Sequence, residues 1–269
     1  MTGLRSAIGF LTILPVAPRT GATGFVSSRA WFPVVGLTLG TVLVATEIAL
    51  ESGYPLFNES HRPFPPLLSA SILVAVLVVL TRALHLDGFM DCCDGLLGGF
   101  SRARRLDILR DPNVGAFAVT GVVCLLILKV SAIMALPAKS GLWLLFLLPC
   151  LSRWAVLLTM EIFPYVREEG IGSPFMGRTS ALQRILPLTV TLLSALFFLG
   201  AAGLVLMAVA GATAWGVGAW SSKLLGGVTG DVYGAAIEVA EVSVLISAVL
   251  LTHIFSPDVF ASALNLINL

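Results

Sequence analysis

Charge is what this 269-residue chain has least of: 12% of its residues are Asp, Glu, Lys or Arg, about half the share in a water-soluble domain. With 57% hydrophobic residues and a mean hydropathy of +0.98, that shortage excludes an ordinary soluble globule and points to an integral membrane protein. No concentrated basic face exists either. The net charge is +1 and the cations are scattered over many loops, which excludes nucleic acid as a partner, because a phosphate backbone needs clustered Lys and Arg. The four cysteines include no CxxC spacing: Cys92 and Cys93 are adjacent, and Cys124 and Cys150 stand singly in apolar stretches. This excludes a structural zinc site and a disulfide framework and leaves four free thiols. No repeat, low-complexity tract or soluble appendage occurs. One helical membrane domain over residues 1–269 is the resulting expectation.

Long apolar runs are what the chain has in plenty. A helix needs roughly 17 to 25 mostly apolar residues to cross about 30 Å of hydrocarbon. Trp31 to Leu50, Pro66 to Leu84, Val114 to Leu136, Leu142 to Phe163 and Gly234 to Phe255 meet that length. The run from Ile185 to Ser221 is too long for one crossing and wide enough for two short ones, with Gly200 and Gly203 as the turn. The expected fold class is therefore an all-α, polytopic bundle of about seven transmembrane helices. The N-terminal "MTGLRSAIGFLTILPVAPRTG" has the basic residue and apolar core of a signal peptide, but Pro15 and Pro18 interrupt it and no small-x-small site stands out. It reads as lying at the interface or dipping into the bilayer. Splitting the 185–221 run puts Arg5, Arg19, Arg29, Arg102, Arg104, Arg105, Arg110, Arg167, Arg178, Arg184 and Lys223 on one side, and only Arg62 and Lys139 on the other. Cytoplasmic loops carry the Lys and Arg excess, so the loops holding "HLDGFMDCCDG", "YVREEGIGSPFMGR" and "GGVTGDVYG" are all expected to face the cytoplasm.

The first of these loops holds the densest acid in the chain. Asp87, Asp91 and Asp94 are spaced i, i+4, i+7, which on a helix puts three carboxylates on one stripe. Neighbours one turn apart lie about 5 to 6 Å from each other, and at an effective dielectric near 20 each adjacent pair repels by roughly 3 kcal/mol. Two readings remain open: a solvated helix end, where water weakens the repulsion, or a divalent-cation site. Mg²⁺ takes hard oxygen ligands, typically one or two carboxylates completed by water and substrate phosphate. Gly88 and Gly95 clear side-chain bulk from beside the carboxylates, which suits close approach of a large ligand. His85 is read either as a ligand or proton carrier or as an interfacial histidine bonded to the backbone. Cys92 and Cys93 read as packing residues.

A second acidic set, Asp231, Glu238 and Glu241, lies in "GGVTGDVYGAAIEVAEVSVLI", with both glutamates inside an apolar span. An ionisable group there is costly and is either functional or paired; Arg153 and Lys129 are the cations available for pairing. Asp231, after a Gly-rich loop, is the more functional candidate. The segment "SRARRLDILRDPNVG" adds Arg102, Arg104, Arg105 and Arg110 close in sequence to the aspartates. Topology alone accounts for such a loop; phosphate binding is the other reading, because the planar guanidinium fork matches phosphate oxygens. Carboxylates for a metal beside arginines for phosphate is the layout of phosphoryl transfer.

In "HLDGFMDCCDG", "RLDILRDPNVGAFAV", "LSRWAVLL", "PYVREEGIG" and "GGVTGDVYGAAIEVAE", in that order, the chain resembles the cobalamin synthase family, the adenosylcobinamide-GDP ribazoletransferases. Arg110 stands where the family commonly has a lysine, which keeps the charge. The resemblance implies a multi-pass enzyme of the cytoplasmic (inner) membrane with its active site facing the cytoplasm. It would join adenosylcobinamide-GDP to α-ribazole or its 5′-phosphate, use Mg²⁺ and release GMP. On that reading Asp87, Asp91, Asp94 and Asp231 bind the metal, and Arg102, Arg105, Arg110 and Arg167 contact the diphosphate. Asp111 and Gly230, inside the shared blocks, are further substrate-binding candidates. His85 or an aspartate would accept the nucleophile's proton. Lipid is the other expected partner, and a homo-oligomer is compatible.

Two rivals are distinguishable. A CDP-alcohol phosphotransferase follows its second "DG" with Ala-Arg and two further aspartates, where this chain reads "LLGGFSR". A cation transporter would show repeated halves with broken helices meeting at midplane, and no repeat is evident.

Overall fold

The computed structural model describes residues 2–16, 22–53, 64–167 and 179–255, together with Phe175, Gly177 and Phe260. Their regular elements are helical: α1 (Thr2–Leu11), α2 (Ala22–Ser28), a 3₁₀ turn (Arg29–Trp31), α3 (Phe32–Gly53), α4 (Pro66–Leu80) and α5 (Leu84–Cys92). After a π-helical turn (Cys93–Leu97) come α6 (Arg102–Ile108), α7 (Ala116–Met134), α8 (Ala138–Ile162), α9 (Ala181–Leu225) and α10 (Gly230–Ile254). The one departure among the described residues is an isolated parallel bridge between Tyr165 and Val228. The all-α expectation holds. Of the cations in the orientation argument, Arg19, Arg62 and Arg178 lie outside the described residues, as do Pro18, the Lys139 side chain and most of "REEGIGSPFMGR".

Among the described residues five helices are long and apolar enough to cross a membrane, or six if the bent pair Pro66–Leu80 and Leu84–Leu97 counts as one span, against the seven expected. That count takes α9 as a single helix, yet Gly200 interrupts it with φ 58 and ψ −143. Residues on either side of that break run in opposite directions along α8. Cys150 meets Thr191 while Trp154, Leu157 and Leu158 line a pocket with Gln183, Arg184 and Pro187; beyond Gly200, Trp154 reaches Gly211 and Phe163 reaches Gly218. The chain therefore reverses at Gly200, where the left-handed φ is open to glycine and strained for other residues.

The second break matters more for function. Arg82 and Ala83 adopt φ of 53 and 54, a left-handed conformation that costs a non-glycine residue about 1 to 2 kcal/mol each, and the two flanking helices meet at 93°. The expected continuous span to Leu84 thus ends at Leu80, and the aspartate-bearing α5 turns sharply away from it. Glycine also permits close packing between α3 and α8, where a Cβ on Gly40 would fall 1.8 Å from the Phe146 carbonyl oxygen.

The core contains charge. Lys129 on α7 donates to Glu238 at 2.5 Å and Glu241 at 2.6 Å, and Arg153 on α8 pairs with Glu241, which also accepts from Ser152 at 3.1 Å. All four charged groups are buried. Of the two readings of the span glutamates, pairing is the one realised, and the cluster ties α7, α8 and α10 together with a formal charge of zero.

Candidate active site

Two glycines bring the two acidic segments together. A Cβ on Gly88 of α5 would sit 2.7 Å from the Asp231 carbonyl oxygen, and one on Gly234 of α10 would sit 2.9 Å from the His85 carbonyl oxygen and 3.3 Å from the Gly88 Cα. Backbone thus lies almost on backbone where α5 crosses the first turns of α10, which no side chain would permit. The crossing places Asp231 beside the aspartate stripe. Asp87, Asp94 and Asp231 all lie within electrostatic reach of Asp91, repelling it, while Arg167 attracts it.

The carboxylates nevertheless differ in their surroundings. Asp87 is exposed and Asp91 half-buried, and among the described residues neither side chain has a hydrogen-bond or ion-pair partner. Asp231 pairs with Arg167 at 2.8 Å and accepts from the Thr229 hydroxyl at 3.1 Å. Asp94 is spent on structure. Its Oδ2 accepts from the Gly115 amide at 2.6 Å and its Oδ1 from the Ala118 amide at 2.9 Å. Helix α7 begins at a glycine N-cap with no side chain of its own, so its free amides take their cap from a distant aspartate. The expected stripe assumed unbroken α-helix. The π turn at Cys93–Leu97 winds more residues per turn and carries Asp94 toward α7.

This capping role makes a prediction. Asp94→Ala is expected to destabilise the protein by about 1 kcal/mol, the usual value of a lost N-cap, with Asp94→Asn losing less because its carbonyl oxygen still accepts one amide. Thermal unfolding in detergent reads both. Unchanged stability in the alanine variant would mean that the cap is unimportant to the fold.

Among the described residues no group of three or more His, Cys, Asp or Glu converges closely enough to hold a metal ion; amides engage Asp94 and Arg167 pairs with Asp231. The donor chemistry still fits Mg²⁺: Asp87 and Asp91 offer unpartnered hard oxygens one turn apart, and Asp231 adjoins them.

The basic candidates divide similarly. Arg102 donates from Nε to the Leu225 carbonyl at 2.7 Å, closing the C-terminal end of α9. Arg167 donates to the Leu109 carbonyl at 2.9 Å as well as to Asp231, linking the α8–α9 connection to both α6 and α10. Arg105 is half-buried against Gly99, and Arg110 is exposed. Asp111 accepts from the Asn113 backbone amide at 2.9 Å and its Nδ2 at 2.6 Å; chiefly the backbone bond holds its carboxyl below the usual range. It shapes the turn after α6.

Sequence reasoning missed the pocket beside this crossing. Some 530 Å³ including its mouth, it is lined by Phe10, Phe32, Phe175, Met160, Tyr233 and Ile237 together with His85, Asp87, Gly230 and Asp231. Its aromatic residues come from α1, α3, α10 and the α8–α9 connection, and no local pattern marks them. Only the glycines of "HLDG" and "DVYG" carried a signal, as positions of close approach.

Residues 3–250 match the family model described as cobalamin-5-phosphate synthase. Proteins named adenosylcobinamide-GDP ribazoletransferase are similar to the chain throughout. One from a Synechococcus strain is 35% identical over 251 residues, covering 91% of this chain and 95% of its own. One from Desulfitobacterium hafniense is 37% identical over 267 residues, covering 92% and 96%, and one from Stutzerimonas stutzeri is 36% identical over 253 residues, covering 93% and 98%. No solved structure matches the chain.

Proposed function

Because the chain belongs to the cobalamin-5-phosphate synthase family, we propose that it joins adenosylcobinamide-GDP to α-ribazole or its 5′-phosphate at a site built on the α5–α10 crossing. The observation that carries this site is the meeting of Asp231 with Asp87 and Asp91 across Gly88 and Gly234. Two otherwise remote acidic segments share one position, with Arg167 between them.

In the reaction, a ribose hydroxyl oxygen of the ribazole forms a bond to the phosphorus attached to cobinamide. The bond from that phosphorus to the bridging oxygen breaks, and GMP leaves with the electron pair. The hydroxyl proton passes to Asp87 or Asp91, whose carboxylates have free oxygens within the site. Arg167 is placed to exchange its contact with Asp231 for a phosphate oxygen, and Arg105 and Arg110 are the further candidates to meet the diphosphate; guanidinium groups hold it in line and offset its charge. A Mg²⁺ ion on the neighbouring carboxylates of Asp87 and Asp91 would supply further neutralisation of the phosphates. Asp94 supports the site by fixing α7 against the π turn.

This reading also takes the protein to lie in the cytoplasmic membrane with the site facing the cytoplasm, the side to which the excess of Arg and Lys assigns its loops. Purified protein in liposomes, given adenosylcobinamide-GDP and α-ribazole 5′-phosphate, is expected to form the complete corrinoid and GMP in equal amounts, and only with Mg²⁺. Product formation that persists in a strong chelator would remove the metal from the assignment. No product from folded protein would remove the reaction.

A further inference from the structure

The pocket beside the α5–α10 crossing has a chemistry that the aspartates do not explain. One side is aromatic: Phe10, Phe32 and Phe175 pack with ring centroids 4.4 to 6.3 Å apart. Met160 and Ile237 add apolar surface. Two residues of the same lining, His85 and Tyr233, each carry a buried polar atom, Nε2 and the hydroxyl, with no hydrogen-bond partner among the described residues. His85 is 3% exposed and Tyr233 5%. Buried polar atoms are almost always satisfied, and leaving one unpaired is costly. Two of them on residues that line one pocket point to a ligand that completes them.

We infer that this pocket seats the benzimidazole base of the incoming nucleoside, with His85 donating from Nε2 to the base's unalkylated ring nitrogen and the Tyr233 hydroxyl bonding its ribose. The inference rests on the proposed reaction and adds to it the recognition of the acceptor. Of the groups in that reaction, this base alone is both flat and apolar around most of its edge, with a single bare nitrogen. Guanine presents donors and acceptors along most of its edge, and the part of the lining formed by Phe10, Phe32, Phe175, Met160 and Ile237 would leave those facing it unpaired. A corrin macrocycle carrying a nucleotide is too large for this pocket, which reaches about 530 Å³ only when its open mouth is counted. Asp87 and Asp231 line the same pocket, so a base seated there would carry its ribose toward the carboxylates. His85 thereby acts as a specificity residue, and proton acceptance stays with the aspartates.

The test compares two nucleosides in the nanodisc-reconstituted protein, α-ribazole and the corresponding phenolic riboside, which lacks the ring nitrogen. Wild type is expected to favour α-ribazole in KM by about ten-fold or more, the effect of one buried donor left unpaired. His85→Leu should raise KM for α-ribazole about ten-fold, change KM for the phenolic riboside less than two-fold, and keep kcat at saturation within about three-fold. His85→Gln, which keeps a donor, should recover part of the preference. Phe10→Ala, on a half-buried position of α1, should raise KM for both nucleosides alike.

Equal losses for the two nucleosides in His85→Leu, or a collapse of kcat with unchanged KM, would overturn the assignment. Equilibrium dialysis of α-ribazole against each protein separates the two levels. Binding that weakens in His85→Leu, in a preparation without turnover, would keep the base site while removing the reaction. Displacement of bound α-ribazole by neither the phenolic riboside nor benzimidazole, but by GMP, would assign the pocket to guanine instead.

Discussion

Asp91→Asn is expected to lower turnover by on the order of 10³-fold, as loss of a group placed against transferring charge does, while leaving the protein as stable as wild type or slightly more so. The two halves of that expectation share one cause. Asp91 is half-buried, repelled by Asp87, Asp94 and Asp231, attracted by Arg167 and unsupported by any hydrogen bond among the described residues. Asparagine keeps its shape and removes one of several crowded negative charges, so the fold loses repulsion. What disappears is the anionic oxygen that the proposed reaction sets against phosphate and cation. Turnover with α-ribazole 5′-phosphate and unfolding in detergent, measured on the same preparation, check both halves. Wild-type turnover in Asp91→Asn would sink the site. Loss of activity with a matching loss of stability would reduce Asp91 to a structural residue.

Glu241→Leu carries the largest expected effect on stability, about 3 to 5 kcal/mol, the cost of breaking a buried ion pair from one side. Glu241 is fully buried and accepts from Lys129, Arg153 and Ser152. Its removal leaves two buried cations facing one carboxylate, Glu238, so a positive charge is stranded between α7, α8 and α10. Lys129→Met made together with Glu241→Leu should recover much of the loss, since each then removes the other's unpaired charge. Unfolding in mixed micelles of increasing denaturing detergent reads the difference. A single variant within about 1 kcal/mol of wild type, below the range for such pairs, would show that water or lipid headgroups already reach the cluster.

The acidic chemistry was legible because carboxylates are scarce in this chain and their spacing is short-range. Asp87 and Asp91 keep the relation that a helix imposes on i and i+4, and both remain on α5. Asp94 departs from it because a π turn intervenes and because its partners are amides of α7, more than twenty positions away. The span glutamates were legible as paired or functional, and only packing chose between these. Arg102 read from its charge as either a topology residue or a phosphate ligand, and Arg167 as a diphosphate ligand from the family resemblance; in the fold each also holds a carbonyl of another element. The aromatic pocket left no trace in any window, since Phe10, Phe32, Phe175 and Tyr233 belong to four separate segments.

Length and hydropathy by themselves determined a helical membrane protein, because a spanning backbone must bond within its own segment; the ordered acidic and basic blocks determined its family. Tertiary structure decided what those blocks do. The left-handed turn at Arg82 and Ala83 swings α5 away from α4, and the facing glycines 88 and 234 let it lie against α10. Contacts between segments some 145 positions apart depend on which surfaces can approach. That approach is a property of packed backbones, and no local spacing encodes it.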